Sequence, residues 1–148
     1  LYNNYLSAFE HSDIAHQYFQ RPNAAPWASV APTIVMRGRR PWLAIGSPGS
    51  ERIVSSIAQV LIRLGSSSLA DAIAAPRLHA SHEGRVRFEG SRMRQDVPHA
   101  LATAGFELQE LEPFSFALGC VQAVQRQRDG WLGVADLRRD GAACGVTP

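Results

Sequence analysis

The most chemically suggestive stretch of the chain is Gly46-Ser47-Pro48-Gly49-Ser50. It lies between an apolar run, Trp42-Leu43-Ala44-Ile45, and a segment in which Ile53, Ile57, Val60, Leu61 and Leu64 recur at helical spacing. A strand, a glycine-rich turn and a helix start, in that order, point backbone N–H groups at one spot. The helix dipole adds partial positive charge there. Such a turn can hold an anion or stabilise an oxyanion. It can equally be a tight connection in which Ser47 or Ser50 caps the helix, and the residues alone leave both readings open.

Other reactive side chains carry weaker signals. His79 and His82 stand i, i+3 apart, a metal spacing on a helix. Arg77-Leu78-His79 reads as extended, however, so both histidines are expected to be structural or surface residues and no metal is expected. His11 and His16 fall in a polar loop. Glu83, Glu89, Glu110 and Glu112 form no recognisable acid–base pair. Cys120 and Cys144 are far apart and in no metal spacing. The chain has no G-x-S-x-G, P-loop, H-E-x-x-H or calcium-loop pattern, and no cofactor is expected.

The elements that must position the turn follow from pattern. Thr33-Ile34-Val35-Met36 and Trp42 to Ile45 read as a hairpin around Gly38-Arg39; their nearly continuous apolar character predicts burial on both faces. A helix over 52–64 should pack on that hairpin. Ser68-Leu69-Ala70-Asp71 is a capping box for a short helix that stops before Pro76. Arg85 to Glu89 alternates like a strand, Gln95 to Ala104 looks helical, and Phe106 to Leu111 alternates again. Cys120 to Val124 and Trp131 to Ala135 suggest a second hairpin around Asp129-Gly130. Residues 1–31 read as a short strand at Leu1-Tyr2 followed by a long loop marked by Pro22, Asn23 and Pro26. Hairpins with separate helices indicate an α+β fold, with helices layered on antiparallel sheets.

Composition bounds the rest. The 148 residues suit one domain, and 45% hydrophobic with 19% charged residues predicts a folded chain. No apolar run reaches the roughly 18 residues of a membrane span. A net charge of +2 is too small to argue for nucleic acid. All fifteen basic residues are arginine. Arg39-Arg40 and Arg138-Arg139 are expected to be solvated turn pairs.

Pro32-Thr33-Ile34-Val35 followed by Gly46-Ser47-Pro48-Gly49-Ser50-Glu51-Arg52-Ile53 resembles the S-P-T-I-V…G-S-P-G-G-S-R-I stretch of γ-glutamyltranspeptidases. In the same order come Ala75-Pro76-Arg77-Leu78-His79, similar to A-P-R-[IL]-H, and the strand Arg85 to Glu89. Ala100 to Leu108 matches a helix-Gly-strand unit, and Gly119 to Ala123 is similar to G-x-x-Q-A-I. Gly133 to Gly141 resembles the terminal G-A-S-D-P-R-R-x-G. Leu1-Tyr2-Asn3-Asn4 resembles the L-N-N ahead of an acidic loop. The resemblance is collinear over essentially residues 1–148.

The resemblance implies a partial αββα sandwich of the N-terminal-nucleophile hydrolase type, here the C-terminal portion of a small subunit. Such enzymes are made as self-cleaving precursors. The threonine exposed by that cut is the nucleophile and its own amine the base; in the family it lies a few dozen residues before L-N-N and is absent here. This fragment alone should be inactive, and its implied partner is the large subunit of the same precursor. The family's oxyanion-hole amides map onto Gly49 and Ser50. Its substrate-contacting positions map onto Asn4, Tyr5, Ala8, Ala28 and Ser29. Ala8 stands where the family places an acid that binds the substrate amine. Tyr5 replaces an assisting acid or amide, and Ala28-Ser29 replaces a Ser-Ser pair. These departures imply a small amide or peptide substrate with an altered acyl group, as in cephalosporin acylases that act on glutaryl side chains. A register shift that brings Glu10 or Asp13 to the amine would instead imply a conventional enzyme acting on glutathione. A non-catalytic homologue is the third reading. The resemblance implies a periplasmic or secreted location for a bacterial-type member and a cytoplasmic one for a biosynthetic relative.

Overall fold

The structure, a computed structural model, describes residues 5–145. The expected strand at Leu1-Tyr2 and the candidate Asn4 lie outside the described residues. The chain divides into two compact units, one ending at Val30 and one beginning at Ala31.

The first unit is a loop with little regular structure, as its prolines and polar residues predict. A single 3-10 turn spans Tyr5–Ala8. Glu10 then holds the loop: its N–H donates to Tyr18 O at 2.9 Å and its carbonyl accepts from Gln20 N at 3.0 Å. The Glu10 carboxylate accepts from the amides of His11, Ser12 and Asp13 and from the Ser12 hydroxyl. Those donors, the Ser12 hydroxyl first, lower its pKa from 4.5 to about 2.

The second unit carries two sheets. β1 (Thr33–Arg37) and β2 (Arg40–Gly46) form the expected hairpin, with a bulge between Val35 and Met36. The last hairpin, β6 (Gln122–Gln127) and β7 (Gly130–Val134), adds to it through β2, giving an antiparallel sheet in the order β1-β2-β6-β7. The smaller sheet is β3 (Leu78–Ala80), β4 (Arg85–Glu89) and β5 (Glu107–Leu111). Its β4 and β5 run parallel, joined through α3 (Asp96–Thr103). α1 (Arg52–Arg63) and α2 (Leu69–Ala74) lie between these sheets in sequence. Ser68 caps α2, accepting from Asp71 N at 3.1 Å.

The core forms where α1 and α2 meet the larger sheet. Ile53, Ile57 and Val60 of α1 pack with Leu43 and Ile45 of β2, with Val121 and Ala123, and with Leu69 and Ile73 of α2. Leu61 and Leu64 are half-buried against that cluster. All five apolar positions of the helical repeat therefore contribute. The expectation that the first hairpin is buried on both faces does not hold for the described residues. Burial alternates along β2, with Leu43 and Ile45 inside and Ala44 exposed, while Ile34 on β1 is 65% exposed. α1 covers one face of the antiparallel sheet, and an apolar run does not report whether a second layer is present.

Arg138 also departs from expectation. It is 3% exposed, not a solvated turn residue. Its guanidinium donates to both Glu89 oxygens at 2.7 Å and to Asp136 Oδ1 at 3.1 Å, and reaches the carbonyls of Ile73 and Ala75. Arg77 lies 2.7 Å from Asp136 Oδ2, and Arg92 donates to Glu89 Oε2 at 2.9 Å. Backbone amides of Ser115 and Val121 complete the two carboxylates. Burial, and then the Arg138 charge, push the Arg77 pKa below its usual value, while Asp136 and Glu89 oppose that shift. The network ties α2, β4 and the segment after β7 together through residues far apart in the sequence.

Candidate active site

β2 ends at Gly46 and α1 begins at Arg52, so Ser47 to Glu51 form a connection fixed at both ends. Neither serine caps the helix. Glu51 occupies the cap position without a side-chain hydrogen bond. Ser47 Oγ donates to Pro48 O at 2.8 Å and accepts from Cys120 N at 3.0 Å, which pins the turn to the segment ahead of β6. The carbonyls of Gly49 and Ser50 are used by Arg52 N and Ile53 N, both at 3.1 Å. The amides of Gly49 and Ser50 donate to no acceptor among the described residues. Pro48 has no N–H. Two consecutive unspent donors thus stand at the N-terminal end of α1, where the helix dipole favours negative charge.

The backbone there is unusual. Gly49 has φ +137° and Ser50 φ +54°. Proline requires φ near −65°, so Gly49→Pro would break the turn and not merely delete one donor. Gly119 opens a family motif in the sequence, but its place beneath the turn is what sequence reasoning missed. It has φ +82°, and a Cβ there would overlap Ser56 Oγ and lie 2.9 Å from Ser47 Oγ. A Cβ on Gly49 would in turn sit 3.4 Å from the Gly119 Cα. Only a glycine ahead of a strand marks this in the sequence; that it underlies the turn is a tertiary fact.

His79 lies on β3, 6% exposed, with Nδ1 2.9 Å from Ser55 Oγ on α1. Its Nε2 is 3.9 Å from Glu51 Oε1, and His82 Nδ1 is 3.7 Å from Glu51 Oε2. Burial lowers the His79 pKa from 6.5, with Glu51 opposing and Arg52 and Arg87 adding to the shift. The residue bridges β3 to the first turn of α1. Among the described residues no group of three or more His, Cys, Asp or Glu side chains could hold a metal.

The remaining candidates all belong to the first unit. Tyr5 and Ala8 share the 3-10 turn, Tyr5 exposed and Ala8 half-buried. Ala28 is exposed and Ser29 half-buried. Asp13 Oδ1 accepts from Ala15 N at 2.9 Å, so this carboxylate, like that of Glu10, organises its own loop. No helix among the described residues is long and apolar enough to cross a membrane.

Comparison with known proteins fits this layout. The sequence profile of a family described as Gamma-glutamyltranspeptidase matches residues 1–146. Curated relatives include a mouse (Mus musculus) glutathione hydrolase 5 proenzyme, 34% identical over 128 residues, covering 84% of this chain and 22% of that protein. A Bacillus subtilis (strain 168) glutathione hydrolase proenzyme is 32% identical over 131 residues, with 85% and 22% covered. The chain thus spans about a fifth of the length of these relatives. Among solved structures, a mutant gamma-glutamyltranspeptidase from Helicobacter pylori superposes with a TM-score of 0.79 at 26% identity, over 94% of this chain and 81% of that one. A cephalosporin acylase from Bacillus halodurans shares the fold, with a TM-score of 0.85 at 21% identity over 98% of this chain and 27% of its own. Two sheets with flanking helices therefore form part of an N-terminal-nucleophile hydrolase sandwich, and the chain belongs to the gamma-glutamyltranspeptidase family.

Proposed function

We propose that residues 1–148 are the C-terminal portion of the small subunit of an amide-cleaving or acyl-transferring enzyme, paired with the large subunit of the same precursor. The nucleophile in this reading is a threonine upstream of Leu1, with its own amine as base. The observation that carries the proposal is the pair of Gly49 and Ser50 amides, consecutive, unspent and held between β2 and α1. Donors fixed before reaction stabilise the oxygen that gains charge during attack on a carbonyl. The proenzyme names of the relatives support the precursor, and so does coverage of a fifth of those proteins but four-fifths of a solved chain.

The acyl group differs from γ-glutamyl in this reading. Ala8 and Tyr5 offer no carboxylate to a substrate ammonium, and Ala28 beside Ser29 leaves one hydroxyl for a carboxylate. Glu10 and Asp13 are engaged by their own loop. An ammonium desolvated without an anionic partner is costly. With the complete enzyme, the kcat/KM for a γ-glutamyl anilide is expected to be low and to rise in Ala8→Asp. An unchanged value in that variant defeats the specificity assignment. A second reading, hydrolysis of glutathione, is favoured by the names of the curated relatives; glutathione outpacing glutaryl amides in the unmodified enzyme would establish it instead.

A further inference from the structure

We infer that the turn end of the four-stranded sheet is a binding site for a small multivalent oxyanion. Both hairpins of that sheet close at the same end, because β2 pairs with β6 in an antiparallel register from Leu43↔Gln125 to Gly46↔Gln122. This brings Arg37 and Arg40 from one hairpin beside Arg126 and Arg128 from the other. The four line an open cleft of about 490 Å³ with Trp42 and Gln125, a volume in the range of small-ligand sites.

Three observations point to an anion. First, none of the four arginines has an ion-pair or side-chain hydrogen-bond partner among the described residues. All four are exposed, whereas the buried and half-buried arginines among the described residues are matched to carboxylates or carbonyls. Second, Arg37 and Arg40 are directly opposite in the β1–β2 register. Like charges in that position repel, and the cleft concentrates four positive charges on a chain whose net charge is only +2. Third, one guanidinium is stacked on an indole ring and a second lies near another: Arg37 is 3.9 Å above the Trp42 ring, and Arg126 is 5.9 Å from that of Trp131. Stacking restrains a long side chain while leaving its in-plane N–H fork open. A planar fork of this kind meets phosphate or carboxylate oxygens two at a time. The ligand class is therefore a compact oxyanion with at least two charged groups, either an oligophosphate or an oligocarboxylate. The site is independent of the oxyanion turn: β2 runs from Arg40 at the cleft to Gly46 at the turn, roughly 20 Å at about 3.3 Å per residue.

The test is calorimetric titration of the full-length protein at low ionic strength with inorganic pyrophosphate and, separately, with citrate. Saturable binding of at least one is expected, weakening as salt is raised. Preference for pyrophosphate identifies a phosphate ligand, and preference for citrate a carboxylate. Arg37→Ala combined with Arg126→Ala should weaken binding at least about tenfold while melting temperature and amidase rate stay near the parent values. The corresponding double lysine variant keeps the charge without the fork and should fall between the two. Absence of binding by either anion overturns the inference, as does an affinity unchanged by the double alanine substitution in a protein that still melts normally.

Discussion

The interior around Glu89 and the ends of the four-stranded sheet treat their polar groups in opposite ways. In the interior, two carboxylates face Arg77, Arg92 and Arg138, and the Arg138 fork is spent on Glu89, Asp136 and two carbonyls. Among the described residues, two amides of the Gly46–Ser50 connection at one end of the sheet have no acceptor, and four guanidiniums at the other have no carboxylate. The chain uses arginine for both purposes. What separates structure from recognition is whether the partner is supplied by the same chain. A satisfied buried pair holds the fold, and an unsatisfied donor at the surface is available to something else.

The largest effect should come from unpairing the interior. Glu89→Ala leaves Arg138 buried without its bidentate partner and is expected to destabilise by about 3–5 kcal/mol, read as a lower midpoint in denaturant unfolding. A loss under about 1 kcal/mol would mean that the network is not the interior anchor described here. Next in size is the turn. Gly49→Ala forces a side chain onto a φ of +137° and re-aims its amide, and turnover of the complete enzyme should fall about 10²–10³-fold with substrate KM less affected. Normal turnover would remove these amides from the chemistry. A smaller, opposite change is expected for Ser50→Gly. Relief of the left-handed serine should stabilise by about 1 kcal/mol after allowing for glycine's looser unfolded state, measurable as a rise in melting temperature. The smallest effect is at the cleft: Arg40→Ala should change stability by no more than about 0.5 kcal/mol, with any shift towards greater stability because a like-charge pair is removed.

His79 adds a pH dependence of known sign. Its folded pKa lies below 6.5, so on acidification the unfolded chain takes up the proton first. Stability is complete above the ordinary histidine value and is lost as pH falls through it. His79→Gln should flatten that slope in melting temperatures taken between pH 7.5 and 5.5, whereas a slope unchanged by the substitution would place the titration elsewhere.

Local chemistry made much of this legible beforehand. The helical repeat from Ile53 to Leu64, the Ser68–Asp71 box and the Asp129-Gly130 hairpin depend on neighbours a few residues away, and each stands where its pattern put it. The turn was legible as a candidate site because strand, glycine and helix follow one another directly. Its conformation was not, since the Gly119 backbone that Gly49 packs against is distant in sequence. Arg138 was misread for the same reason. Beside Arg139 it has the pattern of a solvated charge pair, and its main partner, Glu89, lies 49 residues away. The second face of β1 and β2 was misread because an apolar strand carries no mark of which faces are covered.

The pairing of β2 with β6 bears on how the chain acquires its fold. β1, β2 and α1 come from consecutive sequence and can meet early, but Leu43 is not roofed until Gln125 and Val121 arrive from the far end of the chain. Closing so long a loop is the slow, entropically expensive kind of contact. During synthesis the apolar edge of β2 must wait for almost the entire second unit to leave the ribosome, and over that interval it is an open template for the wrong strand. Truncation before residue 120 should therefore give a chain that aggregates, not a smaller folded domain.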